Sequence, residues 1–140
     1  MITLVDTSIW SLVLRRRQED LSAAERVLVN ALSELVQGGR VRILGLVRQE
    51  LLSGIRNPSK FETIRAALRA FPDEPVYTED HESAARANND CRSKGISVTA
   101  VDILLCAVAM RRDWAVFASD PDFQHYAKVL PLKLYTPSSR

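Results

Sequence analysis

Short, largely apolar segments alternate with helix-length segments from residue 2 to residue 135. This alternation constrains the fold more than any other feature of the chain. It implies an α/β domain with a mostly parallel central sheet and helices on both faces. Residues 2–5 form an apolar run that ends at Asp6 and reads as a buried strand. Further strands are expected at 41–44, 115–118 and 133–135, with a short one at 75–77. Helices are expected at 7–16, 46–55, 59–70, 79–94, 100–110 and 121–127. Another starts at Ser22, where Glu25 completes a capping box, and stops at Gly38-Gly39. The helix at 79–94 is polar enough to face solvent, whereas 100–110 is apolar on every side and should be buried. No repeat, linker or low-complexity tract interrupts the pattern, so residues 1–140 are expected to form one domain.

Several function classes fall away. No apolar run approaches the roughly 18 residues of a membrane span. The N-terminus lacks the basic start, apolar run and cleavage site of a signal peptide, so a cytoplasmic protein is expected. Cys91 and Cys106 match no zinc pattern and make no disulfide framework. His81 and His125 complete no Ser–His–Asp set, and the glycines form no phosphate loop. Any metal must be held mainly by oxygen, which favours magnesium or manganese over zinc. The net charge of +2 is too small to argue for nucleic acid. Fifteen Arg against four Lys favours the planar fork that suits phosphates. A GC-rich genome would give the same bias.

Four acids stand where surface charge is not the obvious explanation. Asp6 follows the first strand, at the sheet edge where open α/β folds carry their sites; it could equally cap the next helix. Glu50 shares a helix face with Leu46 and Val47, or sits on a solvated rim beside Arg48 and Arg56. Asp102 is the sole polar side chain in residues 100–110. A carboxylate there costs several kcal/mol unless paired, hydrogen-bonded or metal-bound. Thr99 and Asp102 also fit a capping box. Asp120 follows the strand at 115–118 and precedes Pro121, which also suits a helix start. Asp122 is either a further ligand or an exposed side chain.

Together the four weigh more than singly. Asp6 and Asp120 fall at the carboxyl ends of parallel strands, and Asp102 opens the helix that leads into the second of them. Carboxylates crowded there would repel or take up protons, and a divalent cation would remove the conflict. Such a site activates water for phosphodiester hydrolysis, with a second metal about 4 Å away able to steady the leaving oxygen.

Val5-Asp6-Thr7-Ser8, Val47-Arg48-Gln49-Glu50-Leu51, Thr99-Ala100-Val101-Asp102-Ile103-Leu104 and Ser119-Asp120-Pro121-Asp122-Phe123 carry a resemblance by their order and spacing. The chain resembles the PIN-domain family, especially VapC-type toxins of bacterial toxin–antitoxin pairs. The resemblance implies a three-layer α/β/α sandwich and a magnesium- or manganese-dependent endoribonuclease. Its catalytic acids would be Asp6, Glu50, Asp102 and Asp120. Asp6 and Asp102 would be the principal metal ligands and Asp120 would complete the site, with Asp122 accessory. Glu50 would hold a water on the metal or the second metal. Ser8 would bond a carboxylate or the scissile phosphate. The family often has Thr or Ser two residues before the last Asp; here Ala118 stands there and Ser119 is next to the Asp.

The resemblance also implies an RNA substrate, a homodimer and a VapB-like antitoxin. Trp10 and Val13, and residues 61–71, could form the partner surface or be plain core. Arg15, Arg16, Arg17, Arg40, Arg42 and Arg48 could track an RNA backbone or form a solvated face. The alternatives are a catalytically silent RNA- or protein-binding module and an RNA-processing nuclease outside any toxin–antitoxin pair. A haloacid-dehalogenase-type phosphatase needs an Asp where Ser8 stands.

Overall fold

The computed structural model describes residues 1–138. Its sheet has four strands, β1 (Thr3–Val5), β2 (Val41–Arg42), β3 (Ala115–Phe117) and β4 (Lys133–Leu134), in the order β2-β1-β3-β4. All pairs are parallel, with Leu4 opposite Arg42 on one side and Val116 on the other. Both central strands are buried throughout, which is why they read as continuous apolar runs rather than alternating ones. The one buried polar side chain in them, Thr3, donates its hydroxyl to the Met1 carbonyl at 3.1 Å.

Seven helices flank the sheet: α1 (Thr7–Leu14), α2 (Ala23–Gln37), α3 (Gly45–Leu52), α4 (Pro58–Leu68), α5 (Thr78–Ser93), α6 (Ala100–Arg112) and α7 (Asp122–Val129). The chain leaves β1 towards β2, but leaves β3 in the opposite direction towards β4. The order therefore reverses between β1 and β3, and a crevice opens outside their carboxyl ends. Helices α1 to α4 pack on one another, as do α5 to α7. Residues 103–109 of α6 are all buried, as their composition demands. The Ser22–Glu25 capping box forms in both directions, and Gly39, at φ 67°, ends α2 where an L side chain would be strained. No helix among the described residues is long and apolar enough to cross a membrane.

Two expectations needed correction. Residues 75–77 form no strand; pairing at that edge stops at a single bridge between Ile43 and Asp73. Pro75 has no N–H to extend the ladder, and its carbonyl accepts from Arg112 instead. The polar helix α5 is not merely a solvated face. It buries a narrow seam of Asp80, Ala84, Ala87 and Cys91 beside α6. Asp80 is fully buried and accepts from Arg111, from Arg112 and from the Tyr77 amide. Arg112 also donates to Glu74 and to the Pro75 and Val108 carbonyls, so one guanidinium ties the loop before α5 to the end of α6. Its hydrogen bonds hold the Asp80 carboxyl well below the usual carboxylate range.

Candidate active site

Asp6 leaves β1 at the crevice, its amide still bonded to the Phe117 carbonyl of β3 at 2.9 Å. It does cap α1: the carboxylate accepts from the Ser8 amide at 3.1 Å and the Ser8 hydroxyl at 2.7 Å. Both bonds end on Oδ2, so capping occupies one oxygen and leaves Oδ1 for other work. Burial raises the Asp6 pKa, the Ser8 bonds pull it back, and the Glu50 charge adds to the rise. The Ser8 hydroxyl also accepts from the Ser119 amide at 3.0 Å, joining the end of β1 to the loop after β3. Ser119 thus contributes its backbone N–H.

Glu50 projects from α3, and its Oε1 accepts from the Thr7 hydroxyl at 2.6 Å. Thr7 was missed from the sequence. A hydroxyl directly after Asp6, at the start of α1, was the available signal. Asp102 stands in the first turn of α6. Thr99 caps that helix through the Asp102 amide at 3.1 Å, but the Asp102 carboxylate does not return the bond. Its Oδ2 accepts instead from the hydroxyl of buried Tyr126 on α7, at 3.0 Å. Tyr126 was also missed. A tyrosine three residues from Phe123 on the apolar stripe of α7 must find a partner for its hydroxyl, and that was the readable clue.

Burial pushes the Asp102 carboxyl up to about 6, with Asp6, Asp120 and Glu50 each adding to the rise against the Tyr126 bond. The charges of the other three acids therefore all reach Asp102 across the crevice. Asp120 is half-buried and accepts the Asp122 amide at 2.9 Å, two residues on, just before α7, whose N-cap position is Pro121. Asp122 is exposed, and its charge bears on the Tyr126 hydroxyl. Among the described residues, no three His, Cys, Asp or Glu side chains are gathered closely enough to hold a metal ion. Bare carboxylates are expected to keep such distance. The donor set nonetheless suits a hard cation: it is all oxygen, and burial and mutual repulsion penalise its ionised form. Cys106, one turn beyond Asp102, is buried and kept a neutral thiol, so sulfur does not enter the set. Both histidines are exposed.

The arginines do not form one basic face. Arg16, Arg17 and Arg48 are paired with Glu25, Glu19 and Asp73. Arg48 further braces the Leu68 and Phe71 carbonyls. Arg40 directly precedes β2, and Arg42 ends it opposite Leu4 of β1. Arg42 donates to the Gly39 and Val41 carbonyls and stacks over Trp114 at 6.0 Å.

Away from the acids, a groove of about 460 Å³ runs between α1, α2 and α4. Its lining includes Trp10, Val13, Leu32, Val36 and Phe71. Trp10 and Leu32 are core residues, with Trp10 edge-on to Phe71 at 5.1 Å, whereas Val13 and Val36 are over a third exposed. The indole N–H of Trp10 is buried without a hydrogen-bond partner.

A family model described as PIN domain matches residues 3–129. No curated protein matches the chain significantly. Among solved structures, FitAcB from Neisseria gonorrhoeae shares 18% identity over 97% of this chain and 98% of its own, with a TM-score of 0.76. VapBC2 from Rickettsia felis, bound to a DNA fragment from the promoter, shares 14% over 96% and 98%, at 0.74. A toxin–antitoxin complex from Klebsiella pneumoniae shares 16% over 99% of each chain, at 0.69. At such identities the likeness is one of fold.

Proposed function

The chain belongs to the PIN-domain family, and we propose that it is a metal-dependent endoribonuclease, the toxin of a VapBC-like toxin–antitoxin pair, acting in the cytoplasm as one domain. The observation that carries this reading is the hydrogen-bonded arrangement at the reversal point of the sheet, in which Thr7 ties Glu50 beside Asp6, Ser8 ties Asp6 to the loop that carries Asp120, and Tyr126 fixes Asp102. Asp6, Asp102 and Asp120 would hold magnesium or manganese. When bound, such an ion supplies Lewis-acid activation of water and charge neutralisation at the phosphate. Ser8 fixes Asp6 through Oδ2, and Tyr126 fixes Asp102 through Oδ2, so each presents its other oxygen in a set direction. Thr7 holds Glu50 through Oε1, leaving Oε2 to orient the attacking water and accept its proton. Attack on phosphorus then breaks the bond to the leaving oxygen.

The apolar groove beside α1 suits an amphipathic segment of a VapB-like antitoxin; the likeness in fold to toxin–antitoxin structures supports that partner, and the homodimer is carried by the family resemblance alone. The test is cleavage of cellular RNA by the antitoxin-free protein with magnesium, manganese or EDTA, beside Asp6→Ala. Discrete products that need metal and vanish in the variant are expected. Intact RNA with a folded protein and either metal would overturn the nuclease reading in favour of a silent binding module.

A further inference from the structure

A second feature lies along α1, which Asp6 caps, and just past α3, which carries Glu50. Beyond the Thr7–Glu50 bond, the end of α1 and the loop from α3 to α4 enclose a cleft of about 280 Å³. Its lining includes Arg15, Arg56, Asn57 and Lys60, and no acidic residue. All four are exposed. Among the described residues, none of these three cations makes a salt bridge or a side-chain hydrogen bond, whereas Arg16, Arg17, Arg48 and Arg65 nearby in sequence are all paired. Three like charges lining one cleft favour an anion there. Two guanidinium forks and an ammonium match the oxygens of a phosphate. Position favours one anion in particular. Arg15 follows directly on the eight residues of α1, which starts beside Asp6. At about 1.5 Å per residue the cleft lies roughly 13 Å from that acid. This is up to about four nucleotides of a stacked strand, at ~3.4 Å each.

We propose that Arg15, Arg56 and Lys60 form a phosphate subsite that seats the RNA backbone flanking the scissile bond. The proposal rests on the nuclease reading. The subsite sets affinity and the path of the strand, while the acids do the chemistry.

The test uses Arg56→Gln/Lys60→Gln, with Arg17→Gln as a control for a cation that is already paired. Binding of a single-stranded RNA is measured by fluorescence anisotropy across a salt series, with magnesium and Asp102→Asn in every protein to prevent cleavage. Each lost phosphate contact should lower the slope of log K against log salt by about 0.7. The double variant is expected to bind about tenfold more weakly and to show that flatter slope, and the control to match the parent. In the cleaving background, KM should rise with kcat nearly unchanged for long RNA, and neither should change for a dinucleotide too short to reach the cleft. A 5′-terminal phosphate should leave affinity within about twofold; strong dependence on it would mean end recognition and overturn a backbone subsite. If the parent cleaves RNA with metal but the double variant keeps its affinity and slope, the subsite is wrong and the nuclease reading stands. If the parent neither binds nor cleaves RNA, the nuclease reading fails and the subsite fails with it.

Discussion

Asp102→Asn should make the metal-free protein more stable at neutral pH while removing catalysis. The substitution keeps the size of the side chain and an oxygen to accept from the Tyr126 hydroxyl. It removes a charge that burial and three neighbouring acids oppose. A carboxyl moved from its ordinary 3.8 to about 6 costs the folded state about 3 kcal/mol at pH 7. Solvent on the open side of this half-buried group screens part of that, leaving about 2 kcal/mol. For a chain of this length that is about 4–8 °C in melting temperature. The sign follows from proton binding: the folded protein holds this proton more tightly than the unfolded chain. The penalty is therefore complete above about pH 6, shrinks as pH falls, and is gone below about 3.8. Thermal denaturation in EDTA should show the full gain at about pH 7.5 and almost none at about pH 3.5. Magnesium should then raise the melting temperature of the parent and not of the variant. Equal stabilities at neutral pH, or a gain independent of pH, would refute the claim that burial and the neighbouring acids oppose the Asp102 charge.

Three other outcomes are expected. Tyr126→Phe removes the donor to Asp102, so that carboxyl should rise further above about 6. Its pH–rate profile should shift its acid limb up by about one pH unit, with activity down about twofold at pH 7, approaching tenfold below about pH 5.5, and recovered at higher pH. Asp80→Ala strands Arg112 without its buried carboxylate, and urea unfolding at neutral pH should show a loss of about 3–5 kcal/mol. Because the Asp80 pKa is lowered by folding, that difference should be complete above about pH 4 and narrow as pH falls further. Val36→Asp, at an exposed rim of the apolar groove, should change stability by less than about 0.5 kcal/mol. RNA cleavage should persist in it while inhibition by the antitoxin, measured by titration, is lost.

Strand and helix positions were legible where one residue's local chemistry decides. Ser22 and Glu25 announce a helix start because both partners lie within one turn, and Gly39 announces a stop because few other residues tolerate its φ. Asp102 was legible because no charge belongs on so apolar a helix. The capping alternative for Asp6 also held, since a carboxylate has two oxygens and the cap uses only one, whereas Pro121 rather than Asp120 takes the cap position of α7. What stayed hidden depends on partners far away in the chain. Nothing near Asp80 in sequence indicates Arg112, 32 positions on, so α5 read as a solvated face. Thr7 and Glu50 meet only because α1 packs on α3. Basic residues looked alike until pairing sorted them: Arg48 is a brace, while Arg15 is unpaired.

The bond from Ser119 to Ser8 also sets a clock. Its two ends are 111 positions apart, and the Asp6 amide waits for Phe117 in the same way. A ribosome adding about 5–20 residues per second needs roughly 6–22 s to supply the second half of the centre. Until then the early acids have been synthesised but have nothing to converge with, so an unfinished chain has no assembled centre.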